Sequence, residues 1–247
     1  MVNETDNERI KLIRGDPKRA IRKLALPMIL SMLLMSSNNV IDSIWVAGLG
    51  SNPLAALGFV TPLFLIVVGL GVGIGAGANS LISRFIGAKK HEKASNASIH
   101  SIIIGIIITI LLTVALIIFL KPILIAMGAK EVINFAMEYG IIIVIGTYSF
   151  TLPALFGGIF RGEGDVKRST IPLIVTAVLN IILDPIFIYI LNLGVAGAAI
   201  ATVLSGTVGL IQFLYWVKIK KDTYCSMEMK YYKRNKKRFF LLEYQQV

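Results

Sequence analysis

The feature that most constrains this chain is a succession of long apolar runs separated by short polar stretches. A run of about 20 apolar residues is what a helix needs to cross ~30 Å of hydrocarbon. Six such runs can be drawn: Ala20–Leu49, Leu54–Phe85, Ala97–Leu120, Phe135–Phe160, Thr170–Leu191 and Val195–Val217. Inside a bilayer every backbone polar group must be satisfied within the segment, so runs of this length are read as helices. Several exceed 20 residues, which predicts tilt, kinks or interfacial extensions. The composition agrees: 55% of residues are hydrophobic and 16% charged, whereas soluble domains carry roughly a quarter charged residues. The expected fold class is an all-α membrane protein, a six-transmembrane-helix bundle. Its expected parts are a cytoplasmic N-terminal segment at 1–19, the helical lobe at 20–217 and a basic cytoplasmic tail at 218–247.

The net charge of +11 does not point to nucleic acid, because the basic residues lie in the loops. With six crossings, 23 of the 25 Lys and Arg residues fall on one side, leaving only Lys121 and Lys130 opposite. Positive loops stay cytoplasmic. Both termini are therefore expected in the cytoplasm of a multi-pass cell-membrane protein whose first partners are lipids. The polar stretch before the first apolar run is too long for an ordinary cleaved signal. The single cysteine, Cys225, closes no intramolecular disulfide, and no Cys/His cluster suggests a structural metal. No nucleophile–base pair or metal motif suggests an enzyme.

In the second run, Gly69, Gly71, Gly73, Gly75 and Gly77 stand at every other position. A phosphate loop would need a lysine and would not sit mid-span. Gly69, Gly73 and Gly77 share one helical face, which predicts close approach of a second helix there.

Polar residues at membrane depth carry the functional argument. Twelve of the 14 acidic residues lie in loops, tails or near span ends; Asp42 and Asp184 lie well inside apolar runs. A carboxyl group there costs at least ~2.5–3.5 kcal/mol, and the spans offer no Lys or Arg to pair with it. A cation or proton site answers that cost better than a salt bridge does. At 1.5 Å per residue, Asp42 lies about 9 Å below Gly48, Asp184 about 12 Å below Asn192, and Thr202 about 12 Å below Gly194. Asn180 is one turn deeper than Asp184 on the same helical face. These four side chains bear oxygen, which suits Na⁺ or H⁺ rather than a soft transition metal. Pro185, directly after Asp184, lacks an N–H and should free the Ile181 carbonyl and bend its helix; Pro27 is placed to bend the first helix.

Five stretches, in this order and spacing, resemble the multidrug and toxic compound extrusion (MATE) family, in its DinF-like branch. They are the Pro27-to-Asp42 span, Gly48-Leu-Gly-Ser-Asn-Pro-Leu-Ala-Ala56, Phe160-Arg-Gly-Glu-Gly-Asp165, Asn180-Ile-Ile-Leu-Asp-Pro185 and Gly194-Val-Ala-Gly-Ala-Ala-Ile-Ala-Thr202. The resemblance covers about Ala25 to Trp216 and implies an amino-terminal six-helix lobe. It implies Na⁺- or H⁺-coupled export of small cationic, amphipathic compounds by alternating access between two lobes, with no other cofactor. It also implies a polar cation site at Asp42, Asn180, Asp184 and Thr202, with Tyr139 in the same network. Members of the family usually have twelve helices. On that basis the stretch from Lys218 reads as a truncated linker to a second lobe; the other readings are a half-transporter that dimerises or pairs with a separately encoded half. Two alternative functions are a lipid-linked oligosaccharide flippase of the same superfamily and a non-transporting membrane protein.

Overall fold

The computed structural model describes residues 40–219 and, before them, residues 29, 33, 37 and 38. Most of the first apolar run, including Pro27, lies outside the described residues. Residues 40–47 are helical and form the C-terminal end of helix α1. There follow α2 (Ser51–Gly87), α3 (His91–Ala126), α4 (Ile133–Ile145), α5 (Tyr148–Gly162), α6 (Val166–Pro185) and α7 (Gly194–Ile219), with a π-helical turn at Ile186–Ile190 after α6. Among the described residues, four helices are long and apolar enough to span a membrane. The pair α4–α5, bent by 41° at a short break, brings the number to five when the two are counted as one span.

The exposed faces identify the solvent. Leu111, Ile118, Leu65 and Ile190 are 61–71% exposed, and α3 has a mean hydropathy of 3.3 with only 17% of its apolar window buried. In water such a surface would aggregate; against lipid it costs nothing. Helix association in lipid must then come from close packing rather than from hiding apolar area.

Glycine supplies that packing, on a different face from the one the spacing suggested. A Cβ at Gly71 would lie 2.8 Å from the Thr151 Cα, and one at Gly75 would lie 2.6 Å from the Ala154 carbonyl oxygen. From the other side, a Cβ at Gly158 would lie 2.2 Å from the Gly75 carbonyl oxygen. Helices α2 and α5 therefore touch backbone to backbone along Gly71, Gly75 and Gly158. Gly69, Gly73 and Gly77 have open space around them and are exposed. The expectation that those three make the helix contact is corrected: the contact face is rotated by two residues.

The run Phe135–Phe160, expected as one continuous helix, is instead two helices meeting at a bend of 41°. Gly146 sits at the break, where a Cβ would lie 2.2 Å from Val203 of α7. Around it Thr147 and Ser149 turn their hydroxyls onto the backbone carbonyls of Val144 and Gly146, at 2.6 and 2.7 Å. Such local side-chain bonds offer the backbone an alternative to the helical ladder. The break lets α7 approach, as does Gly206, whose Cβ would meet the Ser149 carbonyl oxygen at 2.7 Å.

Two apolar clusters hold the helices at either end. One joins Val46, Val60, Leu120, Ile143, Ile188 and Ala198. The other joins Ile82, Phe156, Phe160 and Phe213, with Phe160 and Phe213 stacked at a centroid distance of 5.6 Å. Helix α6 starts at Asp165, whose carboxylate accepts the Arg168 backbone N–H at 3.1 Å, a standard N-cap. Its regular ladder ends at Pro185, as the missing N–H requires, and the chain continues with wider bonds such as Leu191 N–H to Ile186 carbonyl at 2.9 Å.

The two glycine rows can be separated experimentally. Gly158→Ala should destabilise the purified protein by about 1–3 kcal/mol through overpacking. Gly73→Ala should leave the thermal unfolding midpoint unchanged or slightly raised, and equal effects would contradict the assignment of the contact face.

Candidate functional site

The polar site lies where α1, α6 and α7 meet. Asp42 (8% exposed), Asn180 (1%) and Asp184 (1%) are all buried, although each comes from a run that otherwise presents apolar side chains. On α6, the turn of helix that separates Asn180 from Asp184 places both on one face. The Asn180 amide uses both its hydrogens there: Nδ2 donates to Asp184 Oδ1 at 2.9 Å and to Thr202 Oγ1 at 3.3 Å. Thr202 passes its own proton back along α7 to the Ala198 carbonyl at 2.8 Å. The network therefore runs from α6 to α7 with donors and acceptors in sequence.

Helix α1 enters from the other side. The carboxyl groups of Asp42 and Asp184 are within side-chain hydrogen-bonding reach of each other, and Asp42 also reaches Asn180. All four residues selected by depth are thus brought together. Tyr139 of α4 is buried, 6% exposed, within electrostatic reach of both carboxylates. Pro185 follows Asp184 directly, at the start of the π-helical turn.

One member was not anticipated. Asn38, one turn before Asp42, donates its amide Nδ2 to Asn180 Oδ1. The signal was present in the sequence: Asn38 and Asp42 stand four residues apart, as Asn180 and Asp184 do. The two helices carry the same Asn-x-x-x-Asp arrangement, and it is amide to amide and acid to acid that they meet.

The π-helical turn fixes α1 against α6. Tyr189 donates its hydroxyl hydrogen to the Trp45 backbone carbonyl at 2.5 Å, and the two rings meet edge to face at 6.1 Å. Both residues lie within five positions of an aspartate of the site, so this clasp sets how closely the two carboxyls approach.

The charges are not balanced by protein. Neither aspartate pairs with a basic side chain among the described residues; the ion pair found there is Arg168 with Asp165, at 3.4 Å. Among the described residues, Asp42 Oδ1 and Asp184 Oδ2 are buried and accept a hydrogen bond from no amide or hydroxyl donor. Two buried carboxylates in contact cannot both stay ionised without a counter-charge, so a proton or a cation is required between them. The oxygen-only surroundings fit a hard ion.

Comparison with known proteins agrees with this architecture. The family profile MatE matches residues 27–186. The multidrug export protein MepA of Staphylococcus aureus (strain NCTC 8325 / PS 47) is 29% identical over 220 residues, covering 88% of this chain and 49% of MepA. A MATE protein solved by crystallography is 40% identical to this chain. In its bent conformation it superposes with a TM-score of 0.82, over 88% of this chain and 49% of that one. In its straight conformation the TM-score is 0.83, over 88% and 48%. The chain spans about half the length of the relatives it matches.

Asn180 is the hub of the network, so its loss strands three partners. Asn180→Ala should cost about 1–3 kcal/mol of stability for each buried polar group left unsatisfied, read as a lowered unfolding midpoint in detergent. Thr202→Val, which removes one acceptor at the periphery, should cost less. The reverse order would contradict the hub assignment.

Proposed function

Because the chain belongs to the MatE family, we propose that it forms a six-helix lobe of a multidrug exporter driven by Na⁺ or H⁺, with the coupling cation held between Asp42 and Asp184. The observation that carries this reading is the contact of two buried carboxyls from different helices, each keeping an unpartnered oxygen. Nothing in the described protein neutralises them, so an ion from outside does. Asn180 and Thr202 hold Asp184 in place and contribute further oxygens, and Tyr139 borders the same space.

Binding and release of the cation would change how α1 sits on α6. With the ion present, the two carboxyls are drawn together. Without it, their repulsion opposes the contact, and the outer end of α1 is free to move against the π-helical turn. An ion biases a conformational equilibrium only by its differential affinity for the two states, and a site built from two separate helices has that property. A related MATE protein is described in bent and straight conformations; from the sequence, Pro27 in the first apolar run is the residue proposed to allow such a bend here.

The exported compounds would be small cationic amphipathic molecules, as the multidrug relatives suggest. A cleft for them requires a second lobe, supplied by a further segment, a partner chain or a second copy. The distribution of Lys and Arg, 23 on one side of six crossings and 2 on the other, supports cytoplasmic termini.

The test is efflux of a cationic dye from cells producing the protein, driven by an imposed Na⁺ or proton gradient. Asp42→Asn and Asp184→Asn should each reduce it to background while membrane insertion, followed by fractionation, is retained. Gradient-driven efflux persisting in either variant contradicts the assignment.

A further inference from the structure

Among the described residues, three buried oxygens in the site accept a hydrogen bond from no amide or hydroxyl donor: Asp42 Oδ1, Asp184 Oδ2 and Asn38 Oδ1. The first two belong to the carboxyl pair. The third is the side-chain carbonyl of an amide, and its orientation is dictated by its neighbours. An ionised carboxylate only accepts, so Asn180 must turn its NH₂ toward Asp184, as it does at 2.9 Å. That turns Asn180 Oδ1 toward α1. An oxygen facing Asn38 needs a donor, so Asn38 presents its own NH₂, and its carbonyl oxygen is left facing away from that bond without a partner. Flipping Asn38 would set oxygen against oxygen, and flipping Asn180 would set NH₂ against NH₂ and oxygen against carboxylate.

A proton does not resolve this arrangement. One proton on the Asp42–Asp184 pair supplies a single O–H donor between carboxyl oxygens, and an amide oxygen does not protonate near neutral pH. A hard metal cation does resolve it, since such ions take carboxylate and Asn carbonyl oxygens together in one shell.

Resting on the cation reading above, we propose that Asn38 is a further ligand of the coupling site: its side-chain carbonyl oxygen coordinates Na⁺ beside Asp42 and Asp184, and it sets a preference for Na⁺ over H⁺. The Asn-x-x-x-Asp pair on α1 then has a division of labour. The amide nitrogen of Asn38 positions Asn180, its oxygen binds the ion, and Asp42 supplies charge.

The experiment measures ²²Na⁺ binding by the purified full-length chain in lipid nanodiscs at pH 8, comparing wild type, Asn38→Ala, Asn38→Asp and Asp184→Asn. Coordination by the oxygen predicts a loss of about tenfold or more in Na⁺ affinity for Asn38→Ala. It predicts affinity kept or increased in Asn38→Asp, which retains an oxygen and loses the amide donor. If Asn38 only positions Asn180, both variants lose the donor and weaken alike, and that result overturns the proposal, as does wild-type affinity in Asn38→Ala. Binding that survives in Asp184→Asn, or no Na⁺ binding by wild type, overturns the cation site itself as well. Binding abolished in Asp184→Asn but untouched in Asn38→Ala removes only the role of Asn38.

Discussion

Two carboxyl groups held against each other inside an apolar helix bundle set the terms for the rest of this structure. Placing either at that depth costs several kcal/mol, and placing them in contact adds repulsion unless a counter-charge is present. The surrounding residues reduce that cost without cancelling it. Asn180 gives both its hydrogens to the acceptors around it, Thr202 closes the chain onto α7, and the Tyr189–Trp45 clasp holds α1 in register. What remains, among the described residues, is a pair of carboxylate oxygens without a donor, the part of the cost that the proposed cation would offset.

Such a site needs a rigid frame, and in lipid that frame cannot rest on the hydrophobic effect. Backbone contact through Gly71, Gly75 and Gly158 joins α2 to α5, and Gly146 and Gly206 bring α7 against the break between α4 and α5. Since α7 carries Thr202, these contacts position one wall of the site from a distance. The other wall departs from the regular helical pattern: α6 gives way to a π-helical turn after Pro185, immediately beyond Asp184. A cation shared between α1 and α6, as proposed, would couple its occupancy to how those helices meet.

Much of this was legible in the sequence because membrane depth leaves strong traces. The apolar runs marked the four long membrane-spanning helices and the bent pair α4–α5, and the isolation of Asp42 and Asp184 from any basic residue singled them out before their contact was seen. Asn180 and Thr202 followed from depth alone. Asn38 was missed although it repeats the spacing of Asn180 to Asp184, because a neutral amide at depth costs far less than a carboxylate and draws less notice. The glycine face was misplaced for a different reason. With glycine at every second position from 69 to 77, two helical faces are equally small, and lipid on one side is as apolar as protein on the other. The break at Gly146 carries no proline to announce it; what accompanies it is local hydroxyl-to-carbonyl bonding by Thr147 and Ser149 and the packing of Val203, which is distant in sequence. Ends of helices were extended too, α3 beginning at His91 rather than near Ala97, since polar turns outside the hydrocarbon can stay helical.

The central claim is that one ion is shared by carboxyls on two helices. A double-mutant cycle on Na⁺-dependent thermal stabilisation, using Asp42→Asn, Asp184→Asn and the combined variant, measures that sharing directly. A shared site predicts that each single substitution removes nearly the whole Na⁺-induced rise in unfolding midpoint and that the double variant loses no more. Additive losses, with each single variant keeping about half the rise, would show two independent aspartates and contradict the account.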